Sequence, residues 1–244
     1  MKKFRILGLG LIAVFLFINW KDALISGGGD IFTAATITNE ELIQMSRDMR
    51  AVGDKQNTVP SSGNKYAQRL AKMTNKLKKE DGLDLNFKVY ITKDVNANAT
   101  ADGSIRVYSG LMDMMNDDEL FYVVGHEIGH VKNQDALKQI RTIYLSSGAI
   151  KAAAASNKKA GALTNTQLGD LLHSALNAQY SQKAEYAADN YGYNLMKKYK
   201  INTNGAVTAL YKIDSLGASG GVMSSHPNSA DRAKKLEELI KKEK

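Results

Sequence analysis

Apolar residues recur along this chain first with a helical period, then in alternation, then with a helical period again. Thr38-Asn39-Glu40-Glu41 carries the signature of a capping box, and Leu42, Ile43, Met45 and Met49 behind it fall on one face of a helix. A turn-rich stretch from Gly53 to Gly63, with Pro60 in it, leads to a second helix with Tyr66, Leu70, Met73 and Leu77 on one side, ending at Asp81-Gly82. Leu85, Phe87, Val89 and Ile91 alternate with Asn86, Lys88 and Tyr90, the pattern of a half-buried strand. Two short extended runs, Ala97 to Ala101 and Ser104 to Tyr108, are joined by Asp102-Gly103, a strong two-residue hairpin turn.

Asn116-Asp117-Asp118-Glu119 repeats the capping signature, and Leu120, Val123, Val124, Ile128 and Val131 supply the stripe that buries the helix it opens. An alanine-rich segment from Ala149 through Gly161 reads as a surface helix or a mobile lid. One long helical pattern then runs from Gln167 to about Tyr199, and two shorter ones, about 204–216 and 229–242, finish the chain around His226-Pro227. The expected fold class is α+β, mostly helical with a small antiparallel sheet.

The N-terminus stands apart. Lys2, Lys3 and Arg5 precede an uncharged apolar run from Ile6 to Ile18, the layout of a secretory signal and too short for an ordinary membrane span, although Trp20 could extend it to a marginal anchor. With Gly27, Gly28 and Gly29 as a flexible break, residues 1–29 are expected to be a signal peptide or anchor plus linker, and 30–244 one folded domain. The net charge of +8 comes from lysines scattered over many segments, with no aromatic-interleaved basic stripe, so nucleic acid is not an expected partner. The chain has no cysteine, which excludes disulfides, thiolate metal ligands and a thiol nucleophile together.

Chemistry concentrates in His126-Glu127-Ile128-Gly129-His130. Positions four apart on a helix lie one above the other, so both imidazoles face one point, as zinc binding requires, and Glu127 lies beside that point where it can take a proton from water. Two histidines at this spacing can also be plain polar residues on a helix face, but here they sit in an apolar run that buries them. Zinc needs a third protein ligand, and His173, His226 and a carboxylate of the Glu185/Asp189 pair are the candidates.

Five motifs in order resemble the HtpX-like zinc metallopeptidases, and among them the LoiP-type peptidases of the bacterial envelope. They are Asn98-Ala99-x-Ala101 before Asp102-Gly103, Ile105 through Leu111, His126 through His130, Glu185-x-x-Ala188-Asp189, and His226-Pro227 followed by Arg232. The resemblance implies a zincin domain of gluzincin type, one Zn2+ per chain held by His126, His130 and Glu185, Glu127 as catalytic acid and base, and Asp189 supporting a ligand histidine from behind. It also implies that the strand around Ile105 and Val107 is the edge flanking the active-site helix, receiving substrate backbone with Asn98. His226 and Arg232 would then face the active site, His226 as an oxyanion donor or as a fourth, inhibitory ligand and Arg232 holding it or the substrate. Expected substrates are unfolded or misassembled envelope proteins, and the expected place is the periplasm or cell envelope, with membrane association possible through the N-terminus. LoiP-type proteins bear lipid on a cysteine, which this chain lacks. The competing expectation is a zinc-stabilised chaperone or assembly adaptor that binds unfolded chains without cutting them.

Overall fold

The computed structural model describes residues 37–146, 164–217 and 225–243, so the N-terminal run and the candidate lid from Ala149 to Gly161 lie outside the described residues. The order of elements is α1 (Asn39–Gln56), α2 (Lys65–Thr74), β1 (Asn86–Tyr90), β2 (Ala97–Ala99), β3 (Ser104–Tyr108), α3 (Ser109–Met114), α4 (Asp117–Lys132), α5 (Asp135–Ser146), α6 (Asn165–Asn177), α7 (Gln182–Lys198), α8 (Asn204–Asp214) and α9 (Ser229–Lys242). This is the mostly helical α+β domain expected. No helix among the described residues is long and apolar enough to cross a membrane.

Local chemistry sets the helix starts. Thr38 Oγ1 accepts the Glu41 N–H at 3.1 Å while Glu41 Oε2 accepts the Thr38 N–H at 2.9 Å. Asn116 and Glu119 make the same reciprocal pair at 3.0 and 2.9 Å, each such cap being worth about 1 kcal/mol. α4 is buried continuously from Glu119 to His130 and stops at Asn133, where Gln134, at φ 58°, turns the chain into α5.

The helix expected over 167–199 is in fact two helices. Ser181 caps the start of α7, its hydroxyl accepting the Ala184 N–H at 3.2 Å, and the Tyr180 N–H goes to Ser225 O at 3.1 Å. The break puts Glu185 in the first turn of α7 and ties that turn to the residue before His226.

The sheet has the order β1-β3-β2, with β1 parallel and β2 antiparallel to β3. It is therefore mixed, and β3 is its centre. Ile105 and Val107 do not lie on an edge: backbone groups on both sides of their strand are paired, and both side chains are 0% exposed. The edge beside α4 is β2 instead. One face of the sheet carries Val89, Ala97, Ala99, Ile105 and Val107 into the main core with α4. The other turns Lys88, Tyr90, Asn98 and Arg106 toward α1, where Asp54 and Arg50 meet them.

Apolar packing forms two clusters. The larger joins the sheet to α2, α4, α7, α8 and α9 through residues such as Leu70, Val107, Leu120, Ile128, Met196, Leu210 and Leu236. The smaller joins α1, α5 and α6 through Leu42, Met49, Ile140, Tyr144, Leu168 and Leu172. Each fully buried Leu or Ile contributes about 2–3 kcal/mol to its cluster. Within the larger one, α4 and α7 touch backbone to backbone. A Cβ on Gly129 would stand 2.9 Å from Ala188 Cα, and one on Gly192 would stand 3.0 Å from His126 N, so a side chain at either place would push the helices apart.

Candidate active site

That close crossing brings Glu185 of α7 to the two imidazoles of α4. His126 and His130 hold their Nε2 atoms 3.0 Å apart. Glu185 Oε1 lies 3.3 Å from His130 Nε2, and Oε2 lies 3.6 Å from His126 Nε2. The loop before α9 adds His226, whose Nδ1 is 3.0 Å from Glu185 Oε1 and 3.2 Å from His126 Nε2. The four ligand atoms all fall within 4.8 Å of one another, and all four residues are buried.

Hydrogen bonds at the far side of each ring say what this cluster is for. His126 Nδ1 lies 2.9 Å from Asp189 Oδ1 and His130 Nδ1 lies 3.2 Å from Asp135 Oδ2. A carboxylate can only accept, so each Nδ1 carries the proton and each Nε2 of a neutral ring presents a lone pair. Two such nitrogens 3.0 Å apart need a shared cation between them, a proton or a metal ion. Glu185 Oε2 is buried and makes no hydrogen bond, although Arg232 Nη1 lies beside it. Imidazole nitrogens and one carboxylate, with no thiolate, form a donor set that fits zinc, and carboxylates behind the histidines are the usual support of such a site.

Asp189 is the hub of that support. It accepts from the Tyr122 hydroxyl at 2.7 Å and from Arg232 Nη2 and Nε at 2.6 and 2.8 Å. Burial alone would raise its pKa; the Arg232 guanidinium more than offsets this and holds the carboxyl well below its usual range. Burial would likewise raise Glu185, and the imidazoles of His226, His130 and His126 around it hold it low instead. His126 is pushed down, by burial first and by Arg232 second, which keeps a ligand imidazole neutral. For His130 burial works downward, but the carboxylates of Asp135 and Glu185 raise it to about 9.

Glu127 is one residue past His126 and points away from the hub into a small cavity of about 20 Å³, room for one water, lined also by Asn98, Ala99, Tyr180 and His226. His226 Nε2 stands 3.6 Å from Glu127 Oε1. The edge strand borders this cavity. Tyr108 N–H goes to Asn96 O and Thr100 N–H to Ser104 O. That places Asn98 among the hydrogen-bonded positions of the ladder, and turns the N–H and C=O of Ala97 and Ala99 outward.

The structure thus gathers His126, Glu127, His130, Glu185, Asp189, His226 and Arg232 in one place, but gives Arg232, Asn98, Ile105 and Val107 tasks other than touching substrate. Arg232 is 2% exposed, with its guanidinium committed to Asp189 and Glu185, so it braces the carboxylates and does not reach substrate. Asn98 offers its Oδ1 to Arg50 Nη2 at 2.7 Å. Ile105 and Val107 stay in the core. His173 is exposed on α6 beside Asn177, away from the cluster.

Asp135 and Tyr180 went unnoticed as site residues, as did Tyr122. The Tyr180 ring stacks on His130 with centroids 3.9 Å apart and planes 13° apart. Tyr122 could have been suspected, because it stands four residues before His126 and so shares its helix face. Asp135 had a fainter signal, an acid just past a helix end five residues after His130.

A buried helix that offers two imidazoles with a glutamate between them, and takes a third donor from a neighbouring helix beside the edge strand of a small sheet, defines a metal-dependent peptidase of the zincin class. Comparison with known proteins agrees: the profile described as Peptidase family M48 matches residues 64–240, and the chain belongs to that family. It is 40% identical over 219 residues to Metalloprotease YcaL of Escherichia coli strain K12, covering 88% of this chain and 86% of that protein. It is 37% identical over 223 residues to Metalloprotease LoiP of the same strain, covering 90% and 88%. A more distant likeness, 29% over 164 residues, is to Mitochondrial metalloendopeptidase OMA1 of Schizosaccharomyces pombe, covering 64% of this chain and 48% of that protein. The chain is a metalloendopeptidase.

Proposed function

We propose that this metalloendopeptidase uses one zinc ion to cut extended segments of unfolded or misassembled cell-envelope proteins. The observation that carries the metal assignment is the convergence of the His126 and His130 Nε2 atoms with a Glu185 carboxylate oxygen and a His226 ring nitrogen, all buried and within 4.8 Å of one another. His126, His130 and Glu185 hold the ion. Zinc in such a setting supplies Lewis acidity, toward a peptide carbonyl and toward water. Glu127 takes the proton from the attacking water and passes it to the leaving amide nitrogen, the general-base and general-acid roles its place in the cavity allows. Outward-facing backbone at Ala97 and Ala99, buried here, binds substrate as an added strand once the side chains that cover it part, which reads main chain more than side chains and suits unfolded polypeptides of many sequences.

His226 admits two states. With Nδ1 among the donors, as here, it completes a four-ligand set and keeps the enzyme latent; turned out, it is placed to donate to the oxyanion. Export to the envelope rests on the charged-then-apolar N-terminal run, which serves as a cleaved signal or as a retained anchor.

Glu127→Gln provides the main test. It is expected to keep zinc and to lower casein cleavage about 10³-fold. Cleavage at the wild-type rate would refute the catalytic assignment. A cellular phenotype that survives this variant but fails when β2 is disrupted would favour the chaperone.

A further inference from the structure

We propose that the depression between α1 and the β2–β3 hairpin, on the sheet face turned away from α4, binds a phosphate-type oxyanion. Two arginines, Arg50 and Arg106, each 2% exposed, form its floor. Arg50 Nη2 donates to Asn98 Oδ1 at 2.7 Å and Nε to Thr100 Oγ1 at 3.4 Å, but Nη1 is buried without a hydrogen-bond partner. Arg50 forms no ion pair among the described residues. A buried guanidinium with an idle N–H is costly unless an anion meets it.

The surroundings do not supply that anion. Asp54 is consumed by Arg106, Lys88 and the Tyr90 hydroxyl. Asp84 pairs with Lys79, and Asp102 takes the Thr100 and Ser104 hydroxyls. Arg47 and Lys78 complete the lining, so five cationic side chains face three carboxylates, an excess of two positive charges. A dianion with oxygens in several directions matches both that excess and the spread of donors from the floor to the rim. The shared chemistry is phosphate, whether free or as the headgroup of an anionic lipid.

The full chain is melted with increasing inorganic phosphate and, separately, with sodium chloride at matched ionic strength. A rise that grows with the logarithm of phosphate concentration and reaches about 3–5 °C at ten times the dissociation constant is expected with phosphate alone. Arg50→Gln is expected to abolish it. Should Arg50→Gln fail to fold, the rim variant Arg47→Ser/Lys78→Ser is expected to weaken the phosphate response several-fold. Flotation with vesicles containing phosphatidic acid, whose headgroup is a phosphate monoester, lost in the same variants, would assign the phosphate to lipid. Equal shifts with chloride, or responses unchanged in both variants, would overturn the proposal.

Discussion

The two apolar clusters sit on opposite sides of the cleft and are held together by different means. On the side of α4 and α7, backbone meets backbone at Gly125, Gly129 and Gly192, and Asp189 with Arg232 locks the donors from behind. On the side of α1, α5 and α6, leucine, methionine and tyrosine side chains meet each other, and Ser46, Met49, Gln139 and Ile140 close the cavity around Glu127. Backbone contact and buried charge permit one arrangement, whereas a small cluster of flexible apolar side chains can repack or part at modest cost. One side therefore fixes the chemistry and the other governs access to it. Asp135, at the head of α5, links them by holding His130.

If that division is right, Gly192→Val should do the most damage, because a branched side chain would meet His126 N and Tyr122 O within about 3 Å. A loss of about 4 kcal/mol in unfolding free energy is expected, together with a loss of bound metal; normal metal content would show that the close crossing does not position Glu185. Leu171→Ala, in the smaller cluster, should cost about 3 kcal/mol and yet leave metal content and kcat intact, since no donor rests on it. Metal loss in this variant would erase the distinction between the two sides.

The joint between α1 and the sheet is the next smaller effect. Burial would raise the Asp54 carboxyl, but hydrogen bonds from Arg106, Lys88 and Tyr90 hold it well below its usual range. Its folded pKa is below its unfolded one, so its contribution is present above the unfolded value near 4 and fades as pH falls through the acid range. Asp54→Asn should cost about 2 kcal/mol at pH 7, and denaturation curves of variant and wild type should draw together below about pH 3. A gap that stays constant with pH would mean the charge does not matter. Smallest is Asp135→Ala, expected to weaken metal retention about tenfold in chelator competition while leaving the fold intact.

How much of this was legible in the chain depended on distance along it. The capping pairs Thr38/Glu41 and Asn116/Glu119 act over three residues, and Asp102-Gly103 acts within one turn, so those elements were readable. The break at Ala178–Ser181 was hidden because the apolar period runs through it unbroken, and what stops the helix is Ser181 locally and Ser225 from a remote loop. Strand order was likewise out of reach. β1 docks on β3 in parallel, a pairing that no hairpin signal announces, and that docking puts β3 in the centre of the sheet and leaves β2 as the edge beside α4.

By itself, then, the sequence determined the pieces of the centre: a capped, buried helix with His126, Glu127 and His130 on it, and an acid pair four residues apart at Glu185 and Asp189. Helical periodicity is a local property, and side chains one turn apart must share a face whatever surrounds them. Tertiary structure alone decided that Glu185 reaches the imidazoles, that Arg232 serves Asp189 and not a substrate, and that His226 enters the donor set. Each of those outcomes rests on contacts between residues 41 to 106 positions apart, made possible by bare glycine backbone where two helices cross.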